Sequence, residues 1–192
     1  MIMRKIILLA IPLFLLCSCH RDGDEDNILQ NQATSQAALE SSVRYIDSLY
    51  LSDGIMATDS MVDFIQNALQ YTENYPEDEM APEMLMKAGN YGMRIAQASE
   101  DQEVRSKFAE QSIDIFNQVI KVYPDHPSVK YCYWSKGIIY EEILQMYPSA
   151  ENEYRDFLHL FPNDSLAPVI QFSIDHLGQS MDQIMEEVVT RN

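Results

Sequence analysis

The segment Tyr75-Pro76-Glu77-Asp78-Glu79-Met80-Ala81-Pro82 returns as Phe161-Pro162-Asn163-Asp164-Ser165-Leu166-Ala167-Pro168, and a looser copy, Tyr123-Pro124-Asp125-His126-Pro127, lies between them. Recurrence of one motif marks an array of stacked units, each too small to bury its own apolar face, and arrays of this kind characteristically present a binding surface. Counting back 12, 8 and 5 residues from each proline gives Phe64, Ala68 and Tyr71, then Ser112, Phe116 and Val119, then Ala150, Tyr154 and Phe157. Only Ser112 is polar. Those offsets set three side chains on one stripe of a helix, and proline ends the helix at the residue before it. Each of the three aromatic-proline pairs therefore reads as a helix exit.

A new helix begins just beyond. Asp78 and Asp164 are suited to capping, and Pro82 and Pro168 then fall in a first turn, whose N–H groups have no intrahelical partner to lose. The unit is a helical hairpin, and the chain reads as helix over 36–51, 60–74, 79–98, 101–122, 128–145, 149–160, 165–177 and 180–190. Ser99 with Gln102 makes a capping box, and Thr58 or Asp59 can cap the second helix.

Tyr133, Gly137 and Tyr140 on one helix, followed by Ala150, Tyr154, Phe157 and Pro162 on the next, resemble the tetratricopeptide repeat. The resemblance covers about the last two-thirds of the chain and implies an all-α fold, a TPR-like helical-hairpin solenoid of about three to four repeats occupying 36–192. Phe157 stands where that family usually has alanine, Gly92 where a tyrosine would repeat Tyr140, and Asp175 where Gly89 and Gly137 lead one to expect glycine. The last unit is thus expected to be a degenerate cap. Successive prolines lie 48 residues apart (124 − 76) and then 38 (162 − 124), so the first hairpin is expected to have longer helices.

At the amino terminus, Arg4 and Lys5 precede an apolar run from Ile6 to Cys17, too short to span a bilayer, that leads into Leu16-Cys17-Ser18-Cys19. This resembles a bacterial lipoprotein signal with its lipobox. The resemblance implies a signal peptide over 1–18, cleavage between Ser18 and Cys19, and a diacylglycerol thioether with an acylated amine on Cys19, with no other cofactor. His20, rather than aspartate, after that cysteine implies the outer membrane, on its periplasmic face or at the cell surface. The acidic run Asp22, Asp24, Glu25, Asp26 resembles a surface-export signal. Residues 19–35 lack apolar periodicity and read as a flexible tether. Asp22, Asp24 and Asp26 also open like a calcium loop, but Asn27 replaces the required glycine and Ala33 the bidentate glutamate.

The chain carries 30 acidic against 13 basic residues; removal of Arg4 and Lys5 would leave 11 basic, a net charge near −19. Nucleic acid and anionic headgroups would be repelled. With Cys19 lipidated and Cys17 removed, Cys132 has no partner for a disulfide and reads as a small buried apolar residue. Catalysis finds no foothold: His20, His126, His159 and His176 are scattered, no zinc spacing or phosphate-cradling glycine motif occurs, and Ser173, Asp175 and His176 sit too close on one helix for a triad. No metal site is expected. Glu151 with Glu153, and Glu186 with Glu187, read as solvated faces rather than acid-base pairs.

The helix 128–145 is apolar on more than one face, with Tyr133, Gly137, Tyr140 and Leu144 on one stripe and Tyr131, Trp134 and Ile138 on another. Neighbouring helices on both sides would satisfy this. Alternatively Tyr131 and Trp134 line an inner groove, joined by Tyr91 and Arg94 on the preceding inner helix, where a partner peptide would dock. The expected function is a membrane-anchored scaffold for envelope proteins or peptides rather than an enzyme. In this it resembles the β-barrel assembly lipoproteins and the Tol-Pal-type periplasmic repeat proteins. The alternative is a glycan- or peptide-capture lipoprotein beside a transporter, with Trp134 and the tyrosines as stacking platforms.

Overall fold

The structure, a computed structural model, describes residues 22–53 and 56–190. It consists of eight helices with no strand among the described residues: α1 (Asp22–Asp53), α2 (Thr58–Asn74), α3 (Ala81–Ala98), α4 (Gln102–Val122), α5 (Val129–Ile138), α6 (Tyr147–Leu160), α7 (Ala167–Asp175) and α8 (Met181–Thr190). A π-helical turn, Ile139–Ile143, continues α5. From α1 to α7 each helix packs on the next in chain order. No helix among the described residues is long and apolar enough to cross a membrane.

All nine stripe residues are buried, none more than 2% exposed, so the offsets from the prolines do mark the core face. The three exits are copies of one another. Tyr75, Tyr123 and Phe161 sit at φ −132°, −125° and −129° with ψ 60°, 54° and 53°, and each N–H donates to the carbonyl four residues back. The turns beyond are equally alike. Asp78, His126 and Asp164 donate their N–H to the carbonyls of Tyr75, Tyr123 and Phe161 at 3.1, 3.0 and 3.1 Å. Their side chains then accept the N–H two residues on, those of Met80, Ser128 and Leu166, at 2.8, 3.2 and 2.9 Å. The expected caps Asp78 and Asp164 thus hold the tight turn that leads into the helix. The α-helical N-cap positions themselves, Met80 and Leu166, make no side-chain bond.

A side chain from the preceding odd-numbered helix reaches each of these turns. Gln32 of α1 donates to Asp78 at 2.6 Å, Glu83 of α3 lies 3.9 Å from the His126 ring nitrogen, and Lys130 of α5 pairs with Asp164 at 2.6 Å. Tyr123 adds a hydroxyl bond to the Pro76 carbonyl at 2.9 Å. The turns are therefore linked in series along one side of the molecule.

Within hairpins the glycines decide the spacing. A Cβ on Gly89 would collide with the ring of Phe116, and one on Gly137 with the ring of Tyr154. Both rings occupy the position eight residues before a proline, and both glycines follow the preceding proline by 13 (76 to 89; 124 to 137). The same contact therefore closes α3 on α4 and α5 on α6. One core results: Tyr133, Tyr140 and Phe161 pack both against the large cluster of α1–α5 and against Ala150, Tyr154, Phe157 and Ile170.

Several expectations are corrected. The segment read as a tether over 19–35 is helical from Asp22, because Gln32 and Gln36 bond the Asp78 turn and Met80 and so tie the polar half of α1 to the fold. Residues 19–21 lie outside the described residues. The cap of α4 is Asp101, whose carboxylate accepts from Glu103 and Val104 N–H; Ser99 instead receives the Asp101 N–H, and its carbonyl accepts from Arg105. Neither Thr58 nor Asp59 caps α2, whose N-cap position is Ala57. Glu153 is not solvated: it holds Lys136 at 2.8 Å in the α5–α6 interface, with side chains only 16% and 7% exposed. A fourth aromatic-proline pair, Tyr147-Pro148, opens a helix instead of ending one, with proline in the first turn of α6.

Candidate functional site

Cys19 and Ser18, the residues of the expected cleavage and lipidation site, lie outside the described residues. Of the four expected groove residues, Tyr91 and Arg94 come together. They line a depression of about 340 Å³ with Asp47 from α1 and Lys87, Asn90 and Met93 from α3. The Tyr91 ring is itself core, 4% exposed and edge-on to Phe64 at 5.2 Å, so only its hydroxyl end borders this space. That hydroxyl makes a long bond of 3.4 Å to Asp47, and burial, reinforced by the Asp47 charge, pushes it up to about 12.

Tyr131 and Trp134 are not part of that depression. Tyr131 is 40% exposed with the Lys130 ammonium 5.0 Å from its ring, whereas Trp134 packs half-buried on the Ala150, Tyr154, Phe157 and Ile170 cluster. Cys132 beside them is fully buried against Met86, and desolvation raises its thiol to about 12. A second depression, between α1 and α2, is lined by Ser, Ala, Leu, Asn, Gln and two Tyr side chains and carries no charged group.

A larger cleft, about 560 Å³, opens where the π turn after α5, the start of α6, α7 and the α7–α8 loop converge. Its shape depends on two uncommon backbone features. The helix expected to run to 145 leaves α-geometry at Ile139, and Gln145 adopts φ 54°, the left-handed region that a residue with a Cβ enters at a cost. Met146 N–H reaches back to the Tyr140 carbonyl at 2.7 Å and closes this turn ahead of Pro148. Across the cleft Gly178 takes φ +76°, and the Tyr147 ring lies 3.3 Å from where a Cβ would be. Ser180 and Gln183 form the capping box that starts α8.

The walls combine acid and aromatic groups. Glu141 accepts the hydroxyl of buried Tyr154 at 2.7 Å, which fixes its carboxylate. Glu142 beside it is raised above the usual carboxylate range by burial and then by the charge of Glu141. Tyr147 and Phe172 line the cleft while 38% and 50% exposed, and the His176 ring stacks on Phe172 at 4.1 Å. Ser173 and His176, dismissed as a triad, both face this space, while Asp175 turns outward to bond Gln171. Sequence reasoning missed the cleft because its residues come from 141–147 and 172–184, which only the packing of α6 on α7 unites. The available signal was Pro148, which interrupts the periodicity of a helix otherwise readable through Gln145.

No family model, curated protein or solved structure matches this chain.

Proposed function

We propose that this chain is a lipid-anchored, tetratricopeptide-like repeat module that holds a partner protein at the bacterial outer membrane, a binding role without catalysis. The observation that carries the repeat reading is the series of linked turns: three helix exits with the same dihedrals, each closed by the same side-chain bond and each reached from the preceding odd helix. Repetition of an inter-unit contact, beyond repetition of the unit, is what a stacked array requires. The Gly89–Phe116 and Gly137–Tyr154 contacts support the same register. The anchor reading rests on Leu16-Cys17-Ser18-Cys19. The excess of 30 acidic over 13 basic residues favours a basic partner surface and fast, salt-sensitive encounter. With Trp134 packed on the core, the glycan-capture alternative loses its main stacking platform.

The test is metabolic labelling with an alkyne fatty acid, then co-purification from detergent extracts. The reading expects label on the wild type and none on Cys19→Ser, with a defined set of envelope proteins retained by the labelled form. An unlabelled wild type would overturn the anchor, and a chain recovered alone would overturn the scaffold.

A further inference from the structure

We propose that the cleft between the π turn and the α7–α8 loop is the docking site for an arginine-bearing peptide segment of the partner protein. This rests on the partner-binding reading above but not on the lipid anchor.

The argument is one of charge and shape. The cleft's wall holds two carboxylates, Glu141 and Glu142, and no lysine or arginine. Glu141 is oriented by the Tyr154 hydroxyl at 2.7 Å, so one carboxylate is positioned in advance rather than by the ligand. Beside the carboxylates stand Tyr147 and Phe172, 38% and 50% exposed. A planar guanidinium meets both demands at once, since it bonds carboxylates in a fork and stacks on aromatic faces, whereas an ammonium does only the first well. A cleft of about 560 Å³ takes a side chain with its flanking residues, and its openness to solvent suits a segment of a longer chain.

The backbone points to the same place. The π turn at Ile139–Ile143 and the left-handed Gln145 are rare features that persist only where the surroundings enforce them, and both shape this rim. By contrast, the α1–α3 depression already has an internal cation on its acid, with Lys87 3.8 Å from Asp47.

The experiment uses the full chain purified in detergent and immobilised. It is presented with two matched heptapeptide pools that carry a central arginine or a central citrulline, with Ala, Leu, Ser and Tyr at the flanking positions. Citrulline keeps the shape and removes the charge. Retention of the arginine pool should exceed that of the citrulline pool by about tenfold, the scale of one charge-assisted pair. For peptides recovered from the arginine pool, Glu142→Gln and Phe172→Ser should each weaken binding about tenfold. Lys87→Gln, in the other depression, should leave it unchanged. Melting curves of the variants separate lost binding from lost folding. Equal retention of the two pools, retention of neither, or wild-type affinity in folded Glu142→Gln would overturn the proposal. Co-purification of an envelope partner that ignores these substitutions would overturn the site while leaving the scaffold reading intact.

Discussion

Replacing Gly137 by alanine tests the hairpin closure at its tightest point. The added methyl would sit against three atoms of the Tyr154 ring, which is 1% exposed and held at its far end by the bond to Glu141. The ring cannot swing away without breaking that bond, so the helices must part. Overpacking of this kind costs about 3 kcal/mol at the upper end of its usual range, while alanine's better helix propensity returns about 1 kcal/mol. The net loss is about 2 kcal/mol, a fall in melting temperature of about 4–8 °C for a chain of this size. Thermal unfolding followed by circular dichroism measures it. A matched substitution at exposed Asn152 of α6, Asn152→Ala, should change stability by no more than about 0.5 kcal/mol. In a Tyr154→Leu background the alanine at 137 has room, so the overpacking should vanish and leave only the propensity gain of about 1 kcal/mol, giving a coupling energy of about 3 kcal/mol. If Gly137→Ala melts at or above the wild-type temperature, the close approach of α5 and α6 is wrong.

Lys136→Met leaves Glu153 without its partner in the interface and should cost about 3–5 kcal/mol in urea unfolding, whereas Lys136→Met with Glu153→Leu should recover most of the loss. Asp101→Ala removes the two N–H bonds that cap α4 and should cost about 1 kcal/mol, with Ser99→Ala nearer to neutral. Asp164 is held below the usual carboxylate range by the Lys130 bond first and by the Leu166 N–H. Its stabilising share is therefore present above the unfolded carboxyl value of about 4 and is lost as pH falls through the depressed folded value. Asp164→Asn should flatten that acid limb in a melting-temperature profile. Glu142 is raised, so its contribution runs the other way: full below about pH 4 and lost as pH rises. Glu142→Gln should accordingly melt higher than wild type at pH 7 and no higher below pH 4.

What could be read in advance was whatever the 3.6 period and proline impose locally. The stripe from Phe64 to Phe157 and the helix exits at Tyr75, Tyr123 and Phe161 follow from side chains within a few turns of each other. Those cues survive without tertiary context. The first half of α1 does not carry such a cue: its polar residues are ordered by Asp78 and Met80, more than forty positions away, and no local pattern announces that contact. Glu153 misled for the same reason, since it looks like a surface residue until α5 and α6 meet and Lys136 pairs with it. Ser99 and Asp101 show a finer limit. The cap is not the expected Ser99 but Asp101 two residues on, whose carboxylate reaches two N–H groups. Of the candidate site, Tyr91 and Arg94 were placed together, but the acid and aromatic walls of the larger cleft belong to segments separated by a whole helix.

The most direct test of partner capture is a benzophenone amino acid placed at Tyr147, at Phe172 and, for comparison, at exposed Val122 of α4, with irradiation of living cells and mass spectrometry of the adducts. The account predicts one envelope protein cross-linked from Tyr147 and Phe172 and not from Val122. Absence of a specific adduct from either cleft position, or the same adduct with equal yield from Val122, would contradict it.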